Sequence, residues 1–152
     1  RCVSEAAAAR HADPRVQRVV ALYETLAPAD LPALRGVYAD DARFKDPFNQ
    51  VQGVAAIARI FSHMFRSLDN PRFQVLDIVA DGDALFLTWD FTFRTRGAGA
   101  AAMAIHGGSH IRFNDDGQVR SHRDYWDAAE ELYEKLPVLG TLMRWLKKRA
   151  GG

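Results

Sequence analysis

Apolar residues recur at helical spacing in the first part of this chain. From Pro14 onward they predict a first helix, with Asp13 as its N-cap. Asp30 marks the start of a predicted second, short helix that ends at Tyr38. A third helix is predicted over 54–68, where one face is apolar. The apolar positions are Val16, Val19, Val20, Leu22, Tyr23 and Leu26 in the first helix, Leu31, Leu34 and Val37 in the second, and Ile57, Ile60, Phe61, Met64, Phe65 and Leu68 in the third.

The pattern changes after Pro71 from helical spacing to alternation, which indicates strands. Asp81-Gly82-Asp83 divides 72–96 into two strands joined by a hairpin. A Gly/Ala-rich loop at 97–102 precedes a strand over 103–113, and "NDDG" leads into a last strand over 118–126. A short strand is also predicted in "ARFKDPF", residues 42–48, where the proline stops it before the turn "NQVQG".

Helices followed by four long strands in a meander predict an α+β fold. We expect a cone-shaped, strongly curved and mostly antiparallel sheet wrapped around three N-terminal helices, plus a C-terminal helix. Such a cone encloses an apolar cavity, which is the expected binding site. The predicted organisation is a tail over 1–12, one domain over 13–127 and a helical extension over 128–152. Asp127, with Glu130 three residues later, resembles a capping box at the start of that extension.

Composition narrows the function classes. The 152 residues, 48% of them hydrophobic, suffice for one domain with a core and a cavity. Twenty basic residues against 19 acidic ones argue against nucleic acid as a partner. The single cysteine, Cys2, excludes a disulfide framework and a thiolate metal site. With no apolar run of about 20 residues, we expect a cytoplasmic protein; because the first residue is Arg1, a removed upstream segment stays open.

Three segments of the chain resemble a known superfamily. They are "VYADDARFKDPF" at 37–48, "GVAAIARIF" at 53–61 and "HIRFNDDGQVRSHRDYW" at 110–126. Together with the element order they are similar to the nuclear transport factor 2-like superfamily, in its ketosteroid isomerase and SnoaL-like polyketide cyclase branch. The resemblance covers the chain from about Pro14 to Trp126. It implies the cystatin-like cone and a homodimer formed through the outer face of the sheet.

The resemblance also implies two functions. One is a cofactor-free isomerase or cyclase that acts on a small apolar carbonyl compound by proton abstraction. The other is a protein of the same fold that binds a lipid-like or aromatic molecule without converting it. The chemistry of the first needs a carboxylate in a poorly hydrated site.

Asp46 matches the catalytic base of the isomerases. Asp before Pro is also a common turn residue, whose side chain accepts a backbone N–H two residues later. The resemblance places Leu22 where the isomerases have a tyrosine that stabilises the enolate, and Tyr23 lies one residue away, about 100° around a helix. Ser109 stands where they have a protonated aspartate. It is either a weaker donor or a small residue that leaves room in the cavity.

The last strand offers other polar groups. Alternation places His122, Asp124 and Trp126 on one face and Ser121, Arg123 and Tyr125 on the other. We predict that His122 and Asp124 act as acid, proton shuttle or orienter beside Asp46, or that they only line a binding pocket. The predicted ligand-binding residues are Leu22, Tyr23, Phe48, Phe61, Phe65, Trp89, Ser109, Ile111 and Trp126.

Other features predict no metal and no cofactor. His106 and His110 lie about 13 Å apart on a strand, too far to share an ion, and there is no phosphate loop. In the tail, an apolar stripe precedes a basic end. Packing on the same domain or on a dimer partner is the preferred interpretation; contact with a membrane surface or cover over the cavity mouth is the alternative. The stripe is Leu139, Leu142, Met143 and Leu146, and the basic residues are Arg144, Lys147, Lys148 and Arg149.

Overall fold

The computed structural model describes residues 10–131 and Lys148. Its helices are α1 (Pro14–Thr25), a 3-10 helix (Pro28–Gly36), α2 (Val54–Ser67) and the short α3 (Ala128–Glu131). Asp13 is the N-cap of α1, because its carboxylate accepts the N–H of Arg15 at 2.8 Å. The apolar stripe predicted for the tail lies outside the described residues, and no described helix is long and apolar enough to cross a membrane.

Six strands form one sheet in the order β2-β1-β6-β5-β4-β3. Strands β3 to β6 make the predicted antiparallel meander, and β2 pairs antiparallel with β1. Only β1 and β6 pair in parallel. The strands are β1 (Tyr38–Lys45), β2 (Gln50–Gln52), β3 (Asp69–Asp81), β4 (Ala84–Arg94), β5 (Ala102–Phe113) and β6 (Val119–Tyr125). The α+β prediction, with helices against a curved and mostly antiparallel sheet, is confirmed.

The segment between α1 and α2 differs from its prediction. A 3-10 helix replaces the second α-helix, and Asp30 lies inside it, where its carboxylate accepts the N–H of Ala27. Pro32 also lies inside it, a position that an α-helix interior disfavours because proline lacks the N–H. Tyr38 begins β1 instead of ending a helix, and the predicted turn 49–53 contains β2.

The core lies between the helices and the inner face of the sheet. Val16, Val20 and Leu34 from the helical segments are fully buried. Leu85 and Ile111 meet them from the sheet. This inner face also carries two buried polar side chains, Ser109 and His122, which are 4% and 2% exposed.

Candidate functional site

His122 is the centre of a buried hydrogen-bonded cluster. Its Nε2 atom lies 2.6 Å from Oδ1 of Asp124. On the other side of the ring, Nδ1 lies 2.7 Å from the hydroxyl of Tyr38 and 2.9 Å from that of Tyr23. The two tyrosine hydroxyls also contact each other. A helix, a parallel strand pair and the last hairpin therefore meet at one imidazole.

The parallel pairing of β1 with β6 brings these groups together. Phe44 of β1 pairs with His122 of β6, and Tyr38 pairs with Val119. A register shift between Tyr38 and Arg43 interrupts the regular alternation of β1. Tyr38 is fully buried, and its ring stacks on His122 with an interplanar angle of 7°.

The partners define the direction of the hydrogen bonds. A carboxylate only accepts, so the hydrogen at Nε2 of His122 points to Asp124. When the imidazole is neutral, Nδ1 accepts from one tyrosine hydroxyl, and the second hydroxyl donates to the first. Burial raises the pKa of Tyr23 and of Tyr38 well above the ordinary value of 10.0, and the charge of Asp124 adds to the effect. Both hydroxyls therefore keep their hydrogens at neutral pH.

Asp124 is also held from the opposite side. The indole Nε1 of Trp89 donates to Oγ of Ser109 at 2.8 Å, and Ser109 donates to Oδ1 of Asp124 at 2.5 Å. The bonds from Ser109 and from His122 both end on Oδ1 of Asp124. Among the described residues, Oδ2 of Asp124 has no hydrogen-bond partner, and the side chain is 16% exposed.

Asp124 lies between two cavities. On the inner side, a space of about 10 Å³ adjoins Tyr23, Trp89 and Ser109. Such a space holds about one water molecule and no substrate. On the outer side, Asp124 and Asp46 line one pocket of about 490 Å³. Of these two spaces, only the outer pocket is large enough for a substrate that meets Asp124.

Asp46 forms the turn between β1 and β2. Its Oδ1 accepts the backbone N–H groups of Phe48 at 2.8 Å and Asn49 at 2.6 Å, and the amide of Asn49 reaches Oδ2 at 2.9 Å. The contact with Phe48 is the bond to the second following residue that is typical of an Asp-Pro turn. Both oxygens of Asp46 thus accept hydrogen bonds within the turn, whereas at Asp124 the described residues contact only Oδ1.

Comparison with known proteins places the chain in a family. The model of the SnoaL-like domain matches residues 19–122, more than half of the sequence. This chain belongs to the SnoaL-like domain family. No curated protein matches it.

Solved structures share the fold of this SnoaL-like domain. A Catenulispora acidiphila protein with a ketosteroid isomerase-like fold, in complex with trimethylamine, is 18% identical, with a TM-score of 0.66 over 78% of this chain and 88% of that one. A candidate SnoaL-like polyketide cyclase from Shewanella putrefaciens is 16% identical, with a TM-score of 0.67 over 80% and 98%. TerC, crystallised with polyporic acid, is 17% identical, with a TM-score of 0.62 over 78% and 95%. At these identities the likeness shows the fold alone.

The predicted site residues of this SnoaL-like domain fall into separate places. Tyr23, Trp89 and Ser109 adjoin the inner space. Trp126 lines the outer pocket, and its ring contacts that of Phe48, which is 57% exposed, at 5.5 Å. Three others, Leu22, Phe61 and Ile111, are packed in the core. Phe65 lines a third pocket between α1, α2 and β3.

Tyr38 has a role in the cluster that its sequence position did not indicate, and Ser109 has the donor role that was one of its two interpretations. Tyr38 is predicted to end the second helix, whereas it begins β1 and its hydroxyl lies against His122. Ser109 is a hydrogen-bonding link rather than only a small side chain. Tyr23 reaches the cluster where the ungapped match pointed to Leu22, which agrees with a register one residue later.

The remaining histidines lie apart from the cluster. His106 is exposed on the outer face and contacts Asp90 at 2.8 Å. His63 is exposed on α2. Among residues 10–131 and Lys148, no group of three or more His, Cys, Asp or Glu side chains is arranged to hold a metal ion.

Proposed function

We propose that this chain is a cofactor-free isomerase or cyclase that abstracts a proton from a small apolar carbonyl compound. The observation that carries the proposal is the carboxylate of Asp124, which lines the outer pocket and has one oxygen held by His122 and Ser109, while the other has no hydrogen-bond partner among the described residues. A carboxylate with this partial burial is suited to general-base chemistry.

Asp124 is proposed as the base in place of Asp46. Its free Oδ2 takes the proton from the carbon next to the carbonyl, and the electrons of that C–H bond move to the carbonyl oxygen as an enolate. In an isomerase, the proton returns at another carbon. In a cyclase, the enolate carbon forms a bond to a second carbonyl, whose oxygen receives the proton. His122, held by the two tyrosines, keeps Asp124 in place.

Positive charge lies near the proposed enolate. Lys45 and Arg123 line the same outer pocket as Asp124, and Trp126 contributes an apolar wall. Cations beside a developing negative charge lower the barrier for its formation. This arrangement differs from the hydroxyl and protonated carboxyl of the isomerases, and it favours a substrate other than a steroid.

The test is hydrogen–deuterium exchange at the α-carbon of a panel of cyclic ketones in D₂O, followed by NMR. We expect Asp124→Asn to lower the exchange rate by about 100-fold or more, since general-base catalysis contributes at least that much. Asp46→Asn serves as the matched control in the same pocket and is expected to retain most of the rate. Loss of exchange only in Asp46→Asn would reassign the base to Asp46.

The second candidate function is binding without conversion. It is favoured by the inner space of about 10 Å³, which is too small for a substrate beside Ser109 and Asp124. A ligand would then occupy the outer pockets while the cluster only stabilises the core. Binding of the ketones without exchange by the unmodified protein supports this candidate over the enzyme.

We also propose a homodimer through the outer face of the sheet. Cross-strand pairing places Val79, Phe86 and His110 side by side on this face. Val79 is 66% exposed, Phe86 41% and Tyr125 47%. Such a group of exposed apolar side chains is typical of an interface.

A further inference from the structure

A pocket on the outer face of the sheet is lined by cations and by no acid. It has a volume of about 660 Å³, within the range of pockets that bind small molecules. Its base is formed by β2, β1 and β6, and Arg43, Lys45 and Arg123 are its positively charged residues. Among the described residues that line it there is no aspartate or glutamate. We call it the basic pocket.

The register of the strands brings the three cations together. Lys45 of β1 pairs with Arg123 of β6, and Arg43 lies two residues before Lys45. Phe44 and His122, which alternate with them, are buried on the inner face, so the three exposed cations lie on the outer one. Neighbouring strands are about 4.8 Å apart, and every second residue of a strand about 7 Å. Like charges side by side in a sheet destabilise it.

The described part of the chain does not neutralise these charges. Arg43, Lys45 and Arg123 form no ion pair with any described residue. Lys45 and Arg123 also line the outer pocket, but its acids, Asp46 and Asp124 among them, accept hydrogen bonds from other groups. The basic pocket therefore has an excess of positive charge that an anion would compensate.

The uncharged polar residues around the cations can also donate hydrogen bonds. On β2, Gln52 pairs with Arg43 and Gln50 pairs with Lys45. On β6, Ser121 is the partner of Arg43 from the other side. Amide and hydroxyl groups can donate to the same oxygens as the cations. Such a set of donors on three adjacent strands suits a ligand group with several acceptor oxygens.

A phosphate group fits this set better than a carboxylate does. It carries a charge of about −2 and three acceptor oxygens, and Arg and Lys are its usual partners. The guanidinium of Arg123 lies 4.7 Å from the ring centre of Tyr125, a stacked arrangement that leaves the N–H groups at its edge able to donate. Val51 and Tyr125 add apolar surface to the pocket, which is far larger than one phosphate.

We propose that the basic pocket binds a small organic phosphate, with the phosphate group between Arg43, Lys45 and Arg123 and the organic body against Val51 and Tyr125. The site is complete within one chain. It goes beyond the acid–base function and does not depend on it, since a non-catalytic protein would bind the same ligand. A second copy in the proposed homodimer would cover the same face, so the ligand and the second copy are alternative partners of these cations.

The test is isothermal titration calorimetry with the full chain at constant ionic strength, set with sodium chloride. The protein concentration is one at which light scattering shows a monomer, so that a second copy does not compete. The probes are phenyl phosphate, phenol and inorganic phosphate. We expect one phenyl phosphate per chain, bound at least about tenfold more tightly than phenol, because charge-assisted hydrogen bonds are the strong ones. Inorganic phosphate, which lacks the organic body, should bind more weakly than phenyl phosphate.

Arg43→Gln removes one cation that is not among the described lining residues of the outer pocket. It should weaken the binding of phenyl phosphate about tenfold, as the loss of one charged hydrogen bond predicts. Arg66→Gln makes the same change of charge on the exposed surface of α2 and is the matched control, with no expected change in affinity. An equal loss in both variants would show a general effect of charge and overturn the proposal.

Three other outcomes would also overturn it. They are no binding of phenyl phosphate, equal binding of phenyl phosphate and phenol, and binding of phosphatidylglycerol vesicles in a sedimentation assay without binding of phenyl phosphate. The last would identify the basic pocket as part of a membrane-binding surface. Equal affinity for inorganic and phenyl phosphate would overturn the assignment of an organic body. Because no readout uses activity, failure here is distinct from failure of the base assignment to Asp124.

Discussion

Trp89 lies over Ser109 because residue 107 has no side chain. A Cβ atom built on Gly107 would lie 2.5 Å from Cη2 and 2.9 Å from Cζ2 of the indole ring. These distances are shorter than any ordinary carbon contact, so the ring and a side chain at 107 exclude each other. The indole ring thus packs directly on the backbone of β5 at Gly107, and its N–H donates to Ser109.

Gly107→Ala is expected to destabilise the fold by about 1–3 kcal/mol, the usual cost of overpacking a core. The measurement is the free energy of unfolding in urea. Gly36→Ala is the matched control, because no atom lies within 4 Å of a Cβ built there; its stability should change by less than about 1 kcal/mol. Equal stability of both variants would show that the indole can move aside at little cost.

Only some members of the His122 cluster can be predicted from the sequence. Alternation along β6 is enough to place His122 and Asp124 on one face, because the period of a strand is two, and the family resemblance indicates that this face is the inner one. The hydrogen bonds of His122 to Tyr23 and Tyr38 could not be derived, since they depend on how a helix and a strand from distant parts of the chain approach β6. Side-chain direction in α1 changes by about 100° per residue, so an error of one position decides between Leu22 and Tyr23.

At the scale of elements, the start of α1 is fastened to the hairpin between β3 and β4. The guanidinium of Arg15 contacts Asp13 at 2.8 Å, Asp83 at 2.9 Å and the carbonyl of Gly82 at 2.9 Å. Hydrogen bonds from Arg15 lower the pKa of Asp13 from 3.8 to about 2. The carboxylate that caps α1 therefore also pairs with Arg15, the residue that joins α1 to the hairpin.

Acidification should remove this contribution. A carboxyl whose pKa is lower in the folded than in the unfolded protein stabilises the fold above its unfolded pKa. The stabilisation should thus be complete above pH 3.8 and fall as the pH approaches 2. Asn is also a good N-cap but carries no charge, so Asp13→Asn lacks the ion pair at every pH. The free energy of unfolding of this variant should therefore rise relative to that of the unmodified protein as the pH falls from 3.8 toward 2.

Urea unfolding at several pH values below 5 provides the measurement. Asp13→Ala, which removes the cap as well, should cost about 1 kcal/mol at neutral pH. If the difference between the unmodified protein and Asp13→Asn stays constant from pH 5 to pH 2, the ion pair does not stabilise α1.

The sequence pattern predicts the long helices and strands well. α2 and the four strands of the meander agree with their sequence patterns to within two or three residues at each end. The segment from Pro28 to Lys45 was not predictable in the same way. A 3-10 helix has three residues per turn instead of 3.6, and a bulge interrupts the alternation of a strand, so the apolar spacing predicted an α-helix for the first and only the second half of β1.

At the scale of the whole molecule, the outer sheet face has a basic side, on β1 and β6, and an acidic side, on β3. Register places Arg43 beside Ser121, Lys45 beside Arg123, and Arg123 beside His110. The opposite side of the same face, on β3, carries Asp77 and Asp81, which are exposed. Val79, Phe86 and Tyr125 contribute the apolar part. Two copies related by a two-fold axis would bring the basic side of each against the acidic side of the other.

Phe86→Glu is expected to convert the proposed dimer to a monomer at micromolar concentration, because it introduces a charge into the apolar part of the interface. Light scattering after size-exclusion chromatography measures the mass. Arg66→Glu, exposed on α2, is the control and should leave the mass unchanged. Added salt should weaken the dimer, since the charges are solvent-exposed when apart. A monomer for the unmodified protein would contradict the proposal.

The parallel pair of β1 and β6 also has a consequence for the order of folding. Tyr38 and Val119 belong to opposite ends of the domain, yet they are adjacent in the sheet. Closing so long a loop is entropically costly, so this contact is expected to form after the meander of β3 to β6, which consists of local hairpins. During synthesis, β1 leaves the ribosome well before β6, which is the last of the six described strands. The imidazole cluster is therefore assembled only when the domain is complete.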